Sequence, residues 1–463
     1  MKGKFDLAII GGGPGGYVAA LRGAQLKQKV VLFEKDRVGG TCMNRGCIPA
    51  KFLLHQTKVF KETKENTFLD GPVDALTCNW GRIQEQRKKI VERFARGIEF
   101  LLEKNGVQLV RGSAKVLNER KIEVQGEGVY EADRIILATG SKPAALPFLQ
   151  PDGDKIITSK EGLELTAIPD DLVIVGAGAI GLEMGAIYRR LGSRVTILEI
   201  MPDILPGSDR DMAKRLERIL TSQGLNIFTQ MELRKISKEK DIIALESFSL
   251  KDKTNRTFHA HKVLLAVGRI PNSEEFLELG NSFVDERGFI KVNNYLETEI
   301  QGIYAVGDLI GGQLLAHKAL HEGVWAAENA CGWKKAARYH ALPMAVYTEP
   351  EFASVGLSEQ QATTMGFPIQ TGVFSFQANG RALTMGKPEG LVKIIADEQD
   401  IILGAHILGP SASEILAELT LCVERGMKLQ DVSSAFHIHP TLSESVLEAA
   451  LHAKGQALHI LNT

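Results

Sequence analysis

Among the 463 residues there are only five cysteines, an odd number and too few for the disulfide framework of a secreted chain of this size. No apolar run approaches the ~18 residues that a membrane-crossing helix needs. Neither sign of charge is in excess, with 55 basic against 56 acidic residues, so no global field recruits nucleic acid or an anionic lipid surface. The expected partners are small molecules or other proteins, with no nucleic acid and no membrane. An apolar strand starts at Phe5, almost at Met1, which leaves no room for a leader peptide and points to the cytoplasm. Glycine is plentiful at 46 residues, and it falls at strand ends and turns instead of forming a low-complexity tract. The chain is expected to be ordered and, at ~100–200 residues per domain, long enough for three or four units.

Strand, glycine-rich turn and helix occur twice, from Phe5 and from Leu172, which predicts an α/β protein with two Rossmann-like domains. Turn formers at Lys142-Pro143-Ala144, at Pro147 to Gly153 and at Arg269-Ile270-Pro271-Asn272 suggest boundaries. After His340-Ala341-Leu342-Pro343 the pattern shifts to strands such as Gly372 to Phe376 and Leu391 to Ile395, then to helices Ser413 to Arg425 and Leu442 to Lys454. That reads as an α+β C-terminal domain. The expected division is 1–145, 146–272, 273–341 and 342–463.

Gly11, Gly13 and Gly16 follow the apolar strand Leu7-Ala8-Ile9-Ile10 and precede a helical stretch from Tyr17 to Gly23. Glycines at that spacing tighten the turn, let the backbone approach a pyrophosphate and let helix and strand pack closely, while the helix N-terminus favours the anion. A second strand, Val30 to Phe33, ends at Glu34, whose carboxylate can accept hydrogen bonds from ribose hydroxyls. Gly176, Gly178 and Gly181 repeat the pattern after Leu172-Val173-Ile174-Val175, and Val195-Thr196-Ile197-Leu198 ends at Glu199. Eighteen residues separate the last glycine from the glutamate in both copies. Each acid could instead be a solvated strand end, but the matched spacing favours two dinucleotide sites. A carboxylate at Glu199 repels a 2′-phosphate, and Ile200 to Pro206 offers no Arg or Lys to hold one, so NAD is expected over NADP.

The most specific stretch is Gly39-Gly40-Thr41-Cys42-Met43-Asn44-Arg45-Gly46-Cys47-Ile48-Pro49-Ala50-Lys51. Residues five apart on a regular helix have Cα atoms roughly 9 Å apart, beyond the ~7 Å limit for a disulfide. Bringing Cys42 to Cys47 therefore needs a distorted turn, which Asn44 and Gly46 tolerate. No further Cys or His pair with ligand spacing lies nearby to suggest a metal. Near the other end, Phe436-His437-Ile438-His439-Pro440-Thr441-Leu442-Ser443-Glu444 reads as an extended entry to a helix, because a residue before proline avoids the α region. Thiol–disulfide exchange needs a thiolate, and histidine is the usual base near neutrality. Thr441 and Glu444 also have the spacing of a capping box. Cys78, Cys331 and Cys422 are scattered and are read as packing thiols.

With these motifs in this order, from Gly11 to Glu444, the chain resembles the pyridine nucleotide-disulfide oxidoreductases. The resemblance implies FAD in the first fold and NAD in the second. Thr139-Gly140-Ser141, Asp308 and the helix start Leu314-Leu315-Ala316-His317 would complete the FAD pocket, and Gly268 would lie beside NAD. Asp308 would accept from the ribityl chain; its plain alternative is a turn residue. A positive helix end at Leu314 to His317 would stabilise reduced flavin by on the order of 1 kcal/mol. Cys42 would exchange with substrate, Thr41 would lie at the cofactor, Cys47 would lie against the flavin, and Lys51 would sit near flavin N5 paired with Glu183. His439 would be the base and Glu444 its orienting carboxylate, with His437 in a supporting place. Arg45 stands where many members carry an apolar residue; it could lower a thiol pKa or point to solvent.

Within the family, Leu315-Ala316-His317-Lys318-Ala319 with Glu322-Gly323, and Tyr347-Thr348-Glu349-Pro350-Glu351 with Ser354-Val355-Gly356, resemble the branch that oxidises dihydrolipoyl groups. Leu320-His321 replaces acidic residues common in that branch, and Ala179 is small where glutathione reductases place an aromatic gate. No second Cys-Cys pair points to mercuric or thioredoxin reductases. The resemblance implies a homodimer with the last domain at its interface, served by lipoyl-bearing carrier domains of a 2-oxoacid dehydrogenase or glycine cleavage complex on separate chains. The alternatives are an NAD-linked reductase of another small disulfide, and a non-catalytic FAD-binding core subunit of a multienzyme complex.

Overall fold

The computed structural model describes residues 2–280 and 283–462. Strand Lys4–Ile10 is buried over its last four residues, as a strand covered on both faces requires. It pairs in parallel with Val30–Glu34 on one side and Gly128–Leu137 on the other. Gln108–Arg111 extends the sheet beyond Val30–Glu34, and the strands Ala114–Asn118 and Lys121–Val124 extend it antiparallel beyond Gly128–Leu137. One strand arrives from far along the sequence: Ile303–Ala305 pairs in parallel with Gly128–Leu137. Phe276, Phe283, Ile290 and Leu309 share a core with Phe5, Ala8 and Ile135. Segment 273–341 thus adds to the sheet and core of the first unit. Its helix Ala316–Ala330 crosses Pro14–Gln25 so closely that a side chain at Gly323 would strike the carbonyl oxygen of Gly15.

The second unit repeats the parallel pattern, in the order Asn226–Phe228, Arg194–Leu198, Asp171–Val175, Lys262–Leu265, Ile156–Thr158. An antiparallel sheet of Met231–Glu239, Ile242–Ser249 and Asn255–Ala260 covers it, with Leu245 packed among Val173, Val175 and Val263. Where the chain passes between the units, Ser141–Pro143 pairs antiparallel with Arg269–Pro271. The proline-bearing turns expected there are instead a two-stranded ribbon, a place where proline's missing donor does little harm.

From Met344 the chain forms a five-stranded antiparallel sheet, in the order Met344–Val346, Glu351–Gly356, Ile402–Gly409, Leu391–Asp397, Ile369–Ser375. Helices Ala412–Arg425 and Glu444–Ala453 share its core through Leu416, Leu419, Val446 and Ala449. The sheet does not stand apart. Val346, Phe352 and Leu408 join Leu53 and Leu54 of the first unit and Leu182 and Tyr188 of the second in one apolar cluster.

Candidate active site

The two glycine turns have the same geometry. Gly11 (φ +101°) and Gly176 (φ +108°) occupy the left-handed region, and a Cβ on either would meet the carbonyl of Ala138 or Ala266 on the adjoining strand. Gly16 and Gly181 bring each helix onto its own turn, where a Cβ would strike the Gly11 or Gly176 carbonyl oxygen. Gly13 and Gly178 cap the helices Pro14–Gln25 and Ala179–Arg190 with nearly equal angles, φ −70° and −76°. A Cβ on Gly178 would touch nothing within 4 Å, so the space before that helix end is open to a phosphate.

Glu34 and Glu199 are not solvated strand ends; both are buried. Glu34 accepts the N–H of Gly12 (2.7 Å) and of Asp36 (2.8 Å), and Glu199 accepts the N–H of Ala177 (2.7 Å) and of Met201 (2.9 Å). Each carboxylate is fixed to its glycine turn, with lone pairs left for a ribose. Gly39 N–H donates to Gly12 O at 2.7 Å, and Gly40 lies against Gly13, so the dithiol segment, Thr41 included, passes directly over the first turn.

Cys42 lies in the short helix Gly40–Arg45 and Cys47 opens the helix Cys47–Glu65, with the break at Gly46 (φ −144°, ψ −111°). Asn44 stays helical. Its amide donates to the carbonyls of Val38 (3.0 Å) and Gly40 (2.9 Å) instead of providing the turn. Both cysteines are free thiols, and they lie close enough for the Cys42 thiol to donate a hydrogen bond to a Cys47 thiolate. That bond holds Cys47 down to about 7 against the pull of burial, with Lys51 assisting. The same bond, with burial, pushes Cys42 up. The pair therefore keeps its proton on Cys42 and its negative charge on Cys47, at a helix N-terminus.

Lys51, one turn after Cys47, forms an ion pair with buried Glu183 at 2.8 and 2.9 Å, and its Nζ sits 4.5 Å from the Tyr347 ring centroid. Burial pulls the Lys51 ammonium down, but Glu183 and Cys47 outweigh it, and the net direction is up. Glu183 also accepts the N–H of Tyr347 at 3.0 Å. All three units meet at this pair. Arg45 is paired with Asp36, and neither thiol takes a leading effect from it.

Thr139 and Asn272 lock together, Oγ1 to carbonyl at 2.8 Å and amide to carbonyl at 2.9 Å, and the N–H of Asn272 donates to Gly140. Ser141 donates to Asp308, and Arg269 donates to Ser141 Oγ and O, both at 2.7 Å. Gly268, at φ +118°, precedes that arginine, and its carbonyl accepts from Ala144. The helix expected from Leu314 begins at Ala316, with Leu315 as its cap and Leu314 outside it. The His317 ring turns away, its Nε2 2.7 Å from the carbonyl of Pro343. Only main-chain N–H groups of that first turn face outward unpaired within the helix.

His439 Nδ1 lies 2.8 Å from Glu444 Oε1, and Glu444 Oε2 accepts the Thr441 N–H at 2.8 Å. Burial raises the Glu444 carboxyl, but these two bonds prevail and hold it low and ionised. The capping box is only half formed: the helix starts at Glu444, and the Thr441 hydroxyl donates to Ile438 O. The His439 side chain is 80 % exposed, while the charges acting most on Cys42 and Cys47 are one another, Lys51 and Glu183. One chain thus assembles dithiol, Lys51 and Glu183, and separately His439 and Glu444. His437 pairs with Glu418 at 3.1 Å.

The sequence reading missed two neighbours of the thiols. Tyr17 stands beside Cys42, and burial above all pushes its phenol up. Arg269 feels burial first, then Asp308 and Cys47. Neither belongs to a spaced motif. Among the described residues no cluster of three or more His, Cys, Asp or Glu could hold a metal, and no helix is long and apolar enough to cross a membrane.

Residues 5–323 match the pyridine nucleotide-disulphide oxidoreductase family, and residues 342–450 match that family's dimerisation domain. A dihydrolipoyl dehydrogenase of Thermus scotoductus is 43 % identical over 99 % of both chains. One of Bacillus subtilis is 38 % identical over 98 % of this chain and all of its own. The solved structure of LpdA from Mycobacterium tuberculosis superposes with a TM-score of 0.88 at 27 % identity, covering 96 % of this chain and 99 % of that one. The HOCl-induced flavoprotein disulfide reductase RclA of Escherichia coli gives 0.85 at 26 % identity, over 96 % and 99 %. Twin nucleotide folds, a dithiol laid across the first and a dimerisation domain closing the chain are one inheritance, and the chain belongs to the pyridine nucleotide-disulphide oxidoreductase family.

Proposed function

We propose that the chain is an FAD-dependent dihydrolipoyl dehydrogenase that reduces NAD⁺. The observation that carries this is the placement of the dithiol: Cys42 and Cys47 meet across the break at Gly46, on a segment laid over the first glycine turn and backed by the Lys51–Glu183 ion pair. The relatives at 38–43 % identity, with that name, direct the chemistry to the dihydrolipoyl group. Residues Gly11, Gly13, Gly16, Glu34, Thr41, Lys51, Thr139, Gly140, Ser141, Asp308 and the Leu314–His317 turn would hold FAD. Gly176, Gly178, Gly181, Glu199 and Gly268 would hold NAD, and Glu183 would hold Lys51 at the flavin. The fit rests on the two matched glycine turns and their fixed carboxylates.

In the oxidised enzyme Cys42 and Cys47 form a disulfide. His439, its Nδ1 side held by Glu444, takes the proton of one dihydrolipoyl thiol, and the thiolate attacks Cys42 Sγ. The Cys42–Cys47 bond breaks and Cys47 leaves as thiolate. The second substrate thiol then displaces Cys42 from the mixed disulfide, and lipoyl disulfide departs. Two electrons remain on the cysteines, one proton on Cys42 and one on His439. Bound FAD would supply the two-electron relay between the Cys47 thiolate and NAD⁺.

His439 belongs to the partner's dithiol in this reading. Support comes from its exposure, from Phe436 and Ile438 standing exposed just before it in the chain, and from the dimerisation domain. Mixing inactive Cys42→Ser and His439→Ala chains under subunit exchange tests it. Shared sites return about a quarter of wild-type sites at equal random mixing; sites within one chain leave the mixture inactive. Units 1–145, 146–272, 273–341 and 342–463 would carry FAD and dithiol, NAD, the completion of the FAD pocket, and the interface. The carriers would be lipoyl domains on other chains, in the cytoplasm, where cysteine pairs work as catalysts more than as staples. Turnover with dihydrolipoamide and NAD⁺, set against glutathione disulfide and NADH, decides the substrate; faster turnover with glutathione disulfide refutes the reading.

A further inference from the structure

The helix Ala316–Ala330 buries an ion pair that the chemistry above does not use. Glu322 is 0 % exposed and the Lys318 side chain 5 %, with Nζ 2.9 Å from Glu322 Oε1. Burying two charges is costly unless every remaining lone pair and proton is taken up, and here the surplus is directed at one residue. Glu322 Oε2 accepts the N–H of Gly307 at 2.7 Å, and Lys318 Nζ donates to the carbonyl of the same glycine at 3.3 Å. Both backbone groups of Gly307 are gripped by one helix. Gly307 sits at φ +76° and its missing Cβ would lie 3.3 Å from the Ala319 Cβ, so turn and helix touch without a side chain between them.

Gly307 opens the turn Gly307–Ile310, and the next residue is Asp308. The same helix supplies the Leu315–His317 end. A third group closes the cluster: the Tyr339 hydroxyl donates to Glu322 Oε1 at 2.7 Å. Tyr339 stands in the connection that leads to the dimerisation domain at residue 342, and its ring packs edge-on to Trp325 at 6.3 Å. Burial and the Glu322 charge both push the phenol's pKa up, so it remains a donor at any working pH.

We propose that Lys318, Glu322 and Tyr339 are positioning residues that fix the Asp308 carboxylate against the N-terminus of the Ala316–Ala330 helix. The flavin's ribityl chain and its pyrimidine ring then meet two supports at a set separation, and the dimerisation domain is tied to flavin retention through Tyr339. This rests on the reading that Asp308 and the Leu315–His317 turn face FAD.

The test uses FAD-loaded dimer. Tyr339→Phe removes one oxygen, and the paired change Lys318→Met with Glu322→Leu replaces the ion pair by apolar groups of similar length, avoiding an orphaned charge. Expected are FAD release about fivefold faster for Tyr339→Phe, the scale of one lost hydrogen bond of ordinary net strength, and more than tenfold faster for the paired change. Release is read as the rise of free-flavin fluorescence on dilution. The flavin midpoint potential, read by spectroelectrochemistry, should move negative in both, because the helix end is no longer held on the ring that becomes anionic. A role in folding alone would lower the melting temperature and leave the potential in place. If both variants keep the wild-type release rate and potential while Asp308→Asn loosens FAD, the positioning role is refuted and the FAD site stands. If Asp308→Asn also releases FAD at the wild-type rate, the placement of Asp308 at FAD is wrong and the inference falls with it.

Discussion

In the two-electron-reduced enzyme, the Cys47 thiolate should titrate with a midpoint of about 7 instead of the ordinary thiol value of 9.0. The sign follows from the thiolate being the favoured form: its fraction grows with pH, from about one-tenth one unit below the midpoint to about nine-tenths one unit above. At pH 8 an unperturbed thiol would be roughly one-tenth ionised, so Cys47 carries close to tenfold more thiolate there. The largest cause is the hydrogen bond from Cys42, with burial opposing it and Lys51 supporting it. Cys42→Ala deletes the donor and should move the midpoint toward 9.0, whereas Cys42→Ser keeps an O–H donor and should stay near the wild type. The assay is the long-wavelength thiolate-to-flavin absorbance of the anaerobic holoenzyme, followed against pH. Cys47→Ser should abolish the band at every pH. A Cys42→Ala midpoint that stays near 7 would refute the hydrogen-bond account, and a band that survives Cys47→Ser but not Cys42→Ser would reverse the assignment of the two thiols.

Because Arg45 is paired with Asp36, Arg45→Leu should leave that midpoint in place; a rise measured by the same titration would show that its charge reaches the thiol. NAD should be preferred over NADP by roughly ten- to a hundredfold, about 1–3 kcal/mol of charge repulsion at Glu199, and steady-state kcat/KM for Glu199→Ala should show the gap narrowed. His439→Gln should lower kcat/KM for dihydrolipoamide by about 10²–10⁴-fold, the usual range for a lost general base. NADH-to-dye turnover, which bypasses the dithiol, should hardly change. Glu183→Gln removes the charge that holds the Lys51 ammonium up; the charge-transfer band should shift in position, and an unchanged spectrum would place Lys51 away from the flavin.

Much of this site was legible because its parts are local and spaced. The glycine turns and their glutamates were readable because helix and strand repeat at fixed lengths, so eighteen residues place an acid at the neighbouring strand end in both copies. What the spacing could not tell is that both carboxylates also hold main-chain N–H groups of their own turn. The distorted turn between the cysteines was required by helix geometry, yet it falls on Gly46 alone, and Asn44 contributes a side chain where a backbone bend was expected. Thr441 and Glu444 had two possible partners on one spacing. Glu444 satisfies both the helix entry and His439 because a carboxylate has two oxygens to give.

The residues that escaped the sequence share a different property: each acts from a position defined by sheet pairing or helix crossing, not by its neighbours in the chain. Arg269 reaches Ser141 only because Arg269–Pro271 pairs with Ser141–Pro143 across 128 residues. Tyr339 reaches Glu322 because the connection out of the first unit turns back along the helix it has just left. Such contacts leave no period in the sequence, since a single side chain at a single register suffices. They also hold the units in relation to one another. The spaced motifs would bind a nucleotide or present a thiol in isolated domains. Lys51 with Glu183 and Tyr347, and Arg269 with Ser141 and Asp308, need both strands of the ribbon and the third sheet in place. Electron transfer between dithiol and nucleotide depends on that relation, so the chemistry belongs to the assembled chain more than to any motif within it.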